Sequence, residues 1–427
     1  MLTEVTAPRG GLAGTLAAIP SKSHAHRALI CAALSANPSR LICAQRSDDI
    51  RATAACLRAL GAGIVEAADG FTVAPIAREQ VSPGTVDLSV GESGTTLRLL
   101  LPVVAALGRS ARFQRGGRLP QRPLSPLYEE LVAQGCVLGE PTVEPLRLSG
   151  QLRSGAYRLD GGVSSQFISG LLLAFPLLRG TSTLCLTATL ESQPYVEMTL
   201  AALRACGITL NFEGETFSCE GPQTYQAPTE VIVEGDWSNA AFWLCAGALG
   251  DRPLTCTGLD LESLQGDRAV IDILRRFGAR VETDASSVTV SAGALAGIEI
   301  DARNIPDLVP ILSVVALCAA GTTTISGAAR LRLKESDRLA AVADVLGRLG
   351  ARIKTTKDGL VIEGGRRLTG AAVDAWGDHR IAMMAATASL LCEGSVRITG
   401  AEAVNKSYSR FFKDFEALGG HVEMEEF

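Results

Sequence analysis

One pattern recurs six times along this chain, at intervals of roughly seventy residues, and it restricts the fold more than any other feature. Each recurrence opens on a polar or charged cluster: Ser21-Lys22-Ser23, Glu92-Ser93-Gly94-Thr95, Ser164-Ser165-Gln166, Gly235-Asp236-Trp237-Ser238, Pro306-Asp307 and Gly377-Asp378-His379-Arg380. Short strand-like runs, such as Val86–Val90 and Ile298–Asp301, precede the clusters. Almost wholly apolar segments follow them. If those segments are helices, the clusters stand at six helix N-termini. Free backbone N–H groups and the helix dipole favour anions there.

After each apolar segment come a turn, a strand, an amphipathic segment and a hairpin. Ile50–Leu60, Val196–Cys206, Ala269–Phe277 and Leu339–Leu349 space apolar residues at three and four, as a half-buried helix requires. The amphipathic segments end at Gly61, Gly135, Gly207, Gly278, Gly350 and Gly419, which suit a left-handed helix cap. Asp69-Gly70 and Asp358-Gly359 signal hairpin turns. Six βαβαββ-type units in α/β layers account for nearly the whole chain. Pattern alone leaves open whether they form one closed ring or two groups of three. The shift near Pro228–Gly235 marks a boundary between halves.

The 427 residues carry a net charge of −5, with an isoelectric point near 5.6 and few aromatics. That argues against a nucleic-acid or acidic-membrane binder. The longest apolar run, Leu308–Ala320, contains Pro310 and Ser313 and falls short of the roughly twenty residues that span a bilayer. The N-terminus has no basic-then-apolar leader pattern, so a cytoplasmic location is expected. The 11 cysteines include no Cys-x-x-Cys pair, and Cys31, Cys206, Cys245, Cys318 and Cys392 fall in helical apolar patterns. Buried, reduced thiols are expected. The four histidines match no metal motif, and no metal site is expected.

Basic residues fall at corresponding points of the repeat. Lys22 and Arg27 flank the first helix start, Arg98 lies in the second, and Arg380 opens the sixth. The segments Arg115–Pro123, Arg332–Arg338 and Asn405–Ser407 add more. Any one of them alone would be an ordinary solvated face. Together they suit a ligand with several anionic groups, for which Arg offers a planar fork and Lys a compact charge. Asp307 and Glu335 are the carboxylates set among these cations. Spacing alone equally allows a helix cap for Asp307 and a surface ion pair for Glu335. The residues thus point to a polyanion site with two acid/base candidates.

Six strings, in their order and spacing, resemble the 5-enolpyruvylshikimate-3-phosphate synthase family of enolpyruvyl transferases over essentially the full chain. They are Ser21–Ser23 with Arg27, Glu92–Arg98, Ser164–Phe167, Ile305–Asp307, Leu333–Leu339 and Asp378–Met383. The resemblance implies two domains of three βαβαββ-type repeats each, an inside-out α/β barrel arrangement. One domain would be 1–18 plus 234–427, completed by the N-terminal strand, and the other 19–233, with the active site in the cleft between them. It implies transfer of the enolpyruvyl group of phosphoenolpyruvate to the 5-hydroxyl of shikimate 3-phosphate through a tetrahedral intermediate. No cofactor is implied, and a monomer acting on small molecules is expected.

By the same resemblance Ser23, Arg27, Ser164, Ser165, Gln166, Ser192 and Tyr195 hold shikimate 3-phosphate. Gly94, Arg122, Arg338, Arg380 and Lys406 hold phosphoenolpyruvate, with Gln166 reaching it too. Lys22 and Lys334 lie where the substrates meet. Asp307 takes the 5-hydroxyl proton and Glu335 protonates the methylene carbon. Three positions depart from the family pattern: the glycine usual before Ser21 is missing, Glu92 replaces a usual Asn, and Arg330 replaces a usual Asn or Glu. The nearest alternative is the sister transferase for UDP-N-acetylglucosamine. Its Lys-Asn pair and loop cysteine are not matched by Lys22-Ser23 and Arg118–Pro123. A non-catalytic polyanion binder is the other alternative.

Overall fold

The computed structural model, which describes residues 1–77 and 84–425, turns each polar cluster into the start of a helix. The helices come in six pairs: α1 (Lys22–Leu34) with α2 (Asp48–Ala59), α3 (Gly94–Ala106) with α4 (Leu127–Ala133), and α5 (Ser165–Ala174) with α6 (Gln193–Ala205). Then follow α7 (Trp237–Leu249) with α8 (Val270–Phe277), α9 (Val309–Cys318) with α10 (Arg338–Arg348), and α11 (His379–Ala388) with α12 (Phe411–Ala417). The first of each pair is apolar nearly all round because nearly all of it is buried: every residue of α9 up to Leu317 is covered. The second helices bury one face, as Val270, Ile271, Ile273, Leu274 and Phe277 do on α8. The six glycines that follow the second helices have φ between +72° and +106°, the left-handed cap that stops a helix.

Six four-stranded sheets share one plan. In the third, Ala156–Leu159 runs parallel to Gly180–Leu186, which pairs antiparallel with Thr216–Gly221, which pairs antiparallel with Asn211–Glu213. Three sheets take a strand from far along the chain. Glu230–Ile232 joins Ser39–Ile42, Gly14–Ala17 joins Leu254–Thr257, and Leu2–Thr6 lies between Val396–Thr399 and His421–Glu425. Each meander ends on its own edge strand, so among the described residues the sheets close into no barrel.

The chain separates into two compact units: residues 1–19 with 234–427, and residues 20–233. Each has its own apolar core, around Trp243, Leu312 and Met384 in the first and Leu29, Leu101 and Leu172 in the second. In the first, α7, α9 and α11 pack on one another. In the second, α3 packs on α5 and α1 on α6. Gly170 allows the α3–α5 contact: a Cβ there would lie 2.3 Å from the Arg98 carbonyl oxygen, beside Pro102. Pro102 removes the N–H that would otherwise claim that carbonyl.

The 11 cysteines carry free thiols. Cys318 is an exception to the expected burial, since it ends α9 and is exposed; Cys392 lies in a short strand rather than a helix. No helix among the described residues is long and apolar enough to cross a membrane.

Candidate active site

In the unit of residues 20–233, Lys22 is the first residue of α1, behind the Ser21 cap. Its ammonium donates to Asp49 Oδ2 at 2.8 Å. Arg27 stands just over one turn further along and is buried. Its Nε donates to Thr199 Oγ1 at 2.8 Å, and its terminal nitrogens donate to the Ser23 and Tyr195 carbonyls at 2.6 and 2.7 Å. These bonds tie the start of α1 to the start of α6, which carries Tyr195 and follows Ser192. Burial lowers Arg27 to about 10, against smaller opposing effects of Tyr195 and Cys31, and it remains a cation at neutral pH.

The starts of α3 and α5 interlock in the same way. Gln166 donates through Nε2 to Thr95 Oγ1 at 2.8 Å and accepts at Oε1 from Arg98 at 3.0 Å. Arg98 also donates to the Pro123 carbonyl at 3.1 Å and lies over the Phe167 ring. Gln166 precedes Gly170 by four residues, so the close helix approach is what brings it to Thr95. Gly94 faces Arg122: a Cβ on Gly94 would lie 2.7 Å from a guanidinium nitrogen. The helix start and the guanidinium therefore share one spot. Ser164 precedes α5 yet makes no capping bond with its side chain, whereas Ser21, Ser47 and Ser93 do cap.

In the other unit, Arg338 gathers three carboxylates. It donates through Nε to Asp378 Oδ2 (2.7 Å), through one terminal nitrogen to Asp307 Oδ1 (2.7 Å), and through the other to Glu335 Oε2 (2.8 Å) and Asp378 Oδ1 (3.3 Å). Among the described residues these bonds occupy four of the five guanidinium N–H groups. Arg380 donates to Asp307 Oδ2 at 2.9 Å. Asp307 follows Pro306 in the turn that opens α9, Arg338 opens α10, and Arg380 is the second residue of α11, so three helix starts converge. Lys406 donates to the Gly377 carbonyl at 2.8 Å, in the loop that leads into α11.

The charges decide the protonation states. Burial works against the ionised form of Asp307, but Arg380, Lys334 and Arg338 outweigh it and hold the carboxyl well below its usual range. Burial lowers Lys334 to about 8; Asp307 and Glu335 support its charge, while Arg338 and Arg330 oppose it. Burial also disfavours the Arg338 cation, yet Asp378, Glu335 and Asp307 lift it above the usual arginine value.

Several pairings escaped the sequence reading. Asp49 holds Lys22, Asp378 holds Arg338, and Thr95 with Arg98 holds Gln166. Asp378 had a signal, being an acid at a helix cap beside two basic residues in Gly-Asp-His-Arg. The others depend on contacts between distant segments. Arg330 donates to the Arg303 carbonyl at 2.7 Å and bears on Lys334 electrostatically. Among the described residues no group of three or more potential metal ligands gathers.

Asp267 is the least expected of these residues. It is buried, accepts a hydrogen bond from Ser238 Oγ, and leaves Oδ1 without a partner among the described residues. Burial and then Asp307 push its carboxyl up to about 7, with Arg380 and the Ser238 bond pulling the other way. The folded state therefore binds this proton more tightly than the unfolded chain does. Its contribution to stability is full below about pH 4 and is lost as pH rises through about 7. The depressed Asp307 acts with opposite sign and at lower pH. Asp267→Asn is expected to flatten the fall of Tm across that window; a slope equal to the parent's would exclude Asp267 as its source.

Comparison with known proteins gives one consistent likeness. The family model described as EPSP synthase (3-phosphoshikimate 1-carboxyvinyltransferase) matches residues 6–415. A 3-phosphoshikimate 1-carboxyvinyltransferase of Clostridium acetobutylicum is 44% identical over 415 residues, covering 96% of each chain. Its namesake from Clostridium kluyveri is 41% identical over 414 residues, again 96% of each. Among solved structures, an EPSP synthase from Acinetobacter baumannii superposes with a TM-score of 0.82 at 25% identity, covering 99% of this chain and 100% of that one. The enolpyruvyl transferase NikO from Streptomyces tendae shares the fold, with a TM-score of 0.78 at 21% identity over 99% of this chain and 98% of its own.

Proposed function

The chain belongs to the EPSP synthase family and transfers the enolpyruvyl group of phosphoenolpyruvate to the 5-hydroxyl of shikimate 3-phosphate, and we propose which of its side chains carry that reaction. The products are 5-enolpyruvylshikimate 3-phosphate and phosphate, on the route to aromatic amino acids. Neither the sister transferase nor a non-catalytic binder is favoured by these likenesses.

Ser23, Arg27, Ser164, Ser165, Gln166, Ser192 and Tyr195 hold shikimate 3-phosphate. Gly94, Arg122, Arg338, Arg380 and Lys406 hold phosphoenolpyruvate, and Gln166 touches both substrates. Lys22 and Lys334 stand where the two meet. Holding both substrates turns a two-body encounter into an oriented reaction. The enzyme works as a monomer in the cytoplasm, with its thiols reduced.

Asp307 takes the proton of the 5-hydroxyl as its oxygen bonds to C2 of phosphoenolpyruvate, and Glu335 delivers a proton to the methylene carbon. The tetrahedral intermediate then loses a proton from the new methyl group as the bond from C2 to the phosphate oxygen breaks. One observation carries this reading. The candidate base and acid both bond Arg338, at 2.7 and 2.8 Å, within reach of Lys334 and Arg380. Anionic substrates that draw on Arg380 and Lys334 loosen their hold on Asp307 and make it more basic.

The test is phosphate release from the purified protein given both substrates, followed against pH. The kcat/KM for phosphoenolpyruvate is expected to fall above about pH 8, because the free enzyme's Lys334 then loses the charge that receives the anion. The fall should approach tenfold per pH unit, the limit for one proton. Absence of released phosphate at any pH would sink the assignment. A profile that stays flat well above that point would remove Lys334 from its role.

A further inference from the structure

A buried chain of four polar side chains runs behind the phosphoenolpyruvate half-site. His26 on α1 bonds through Nδ1 to Thr53 Oγ1 on α2 at 2.6 Å. Thr53 Oγ1 bonds to Thr96 Oγ1 on α3 at 2.7 Å, and the Thr96 hydroxyl donates to Ser93 Oγ at 2.8 Å. None of the four exceeds 1% exposure. Ser93 is also the cap of α3, accepting the Thr96 N–H at 3.2 Å, and its neighbour Gly94 faces Arg122.

The polarity of this chain follows from its last bond. With the Thr96 hydroxyl spent on Ser93, Thr53 must donate to Thr96, and His26 must donate through Nδ1–H to Thr53. Nε2 is then the unprotonated nitrogen, and it has no partner among the described residues. Burial, and after it Lys22 and Arg27, hold the His26 pKa well below the usual histidine value, so the ring stays a neutral donor. A second tie runs beside the first. Lys22, one turn before His26 on the same face of α1, bonds Asp49 on α2, whose carbonyl oxygen lies 3.4 Å from the Thr96 hydroxyl oxygen.

Four buried polar groups contribute little net stability over an apolar set of the same shape. What such a bonded chain adds is a single register between the elements it joins. We propose that His26 and Thr53 form a brace that fixes the start of α3 relative to α1, and so sets where the Gly94 backbone and Arg122 receive phosphoenolpyruvate. Both are positioning residues, since neither touches substrate. The proposal rests on the assignment of phosphoenolpyruvate to the α3 start.

Thr53→Val cuts the chain with little change of shape, and His26→Leu removes its first donor. Each is expected to raise the KM for phosphoenolpyruvate roughly tenfold and leave that for shikimate 3-phosphate within about twofold, the displacement being confined to one helix end. His26→Asn, which can return a donor near the Nδ1 position, should recover most of the loss. A purely structural role would lower Tm in all three and move neither KM selectively. A folded Thr53→Val enzyme with the parent's KM for phosphoenolpyruvate, or with both KM values raised alike, overturns the brace. Arg122→Ala is the control. It should raise the same KM, and if it does not, the assignment of phosphoenolpyruvate to α3 fails and the brace falls with it.

Discussion

Glu335→Gln is expected to lower kcat by roughly 10²–10⁴-fold while leaving both KM values within a few-fold of the parent. Gln keeps the length of Glu and can still accept the Arg338 N–H that Glu335 now holds at 2.8 Å. The Arg338 guanidinium also keeps Asp307 and Asp378, so the fold should survive. What Gln lacks is an acidic proton for the methylene carbon. That interaction exists only on the way to the transition state, so kcat and kcat/KM should fall together. If Glu335 served only to anchor Arg338, the result would differ: a weaker grip on phosphoenolpyruvate, a lower Tm and nearly normal turnover. Steady-state phosphate release, with phosphoenolpyruvate binding measured separately by calorimetry, distinguishes the cases. Turnover at the parent rate removes Glu335 as the acid.

Local sequence marks Glu335 and Asp307 only as carboxylates among cations, their roles coming from the family resemblance, but most of the architecture was readable at that level. A helix buried on all sides must be apolar throughout, as α9 is, and one with a wet face must alternate at three and four, as α8 does. The glycine after each second helix marks its end because few other residues accept the left-handed turn. Residues that open helices could be named because the cluster directly precedes the apolar run. Pairing across the fold could not be read this way. Arg338 and Asp378 are 40 residues apart, and Gln166 and Thr95 are 71 apart; no local period records either. The sheet plan has the same limit. Glu230–Ile232 lies beside Ser39–Ile42 only after the intervening chain has folded. Asp267 was invisible for a further reason: nothing in Gly-Asp-Arg distinguishes a surface acid from one sealed against Ser238.

Arg338→Met is expected to destabilise the protein by about 3–5 kcal/mol near neutral pH, the usual result of removing one partner from a buried ion pair. Met preserves much of the apolar stem, so the loss reports the guanidinium. Asp307, Glu335 and Asp378 would then lie close together without the cation that links them, with Arg380 and Lys334 still acting on Asp307. Protonating one of them relieves part of the strain, so the gap in Tm from the parent should narrow as pH falls. Arg338→Lys restores the charge as a point rather than a fork, and cannot hold three carboxylates in fixed directions. It should recover much of the stability and little of the turnover. That divergence follows from what the reaction asks of this residue. As Asp307 gains a proton and Glu335 gives one up, the negative charge moves from one carboxylate to the other. Both lie on the same guanidinium, so the charge it balances is constant and no side chain need swing to follow it. Stability asks only for a cation in that position; the proton exchange asks for one that touches both partners at once. An Arg338→Met protein as stable as the parent across the pH range would show that these ion pairs do not hold the unit together. An Arg338→Lys enzyme with parental kcat would show that bridging both carboxylates is not needed for turnover.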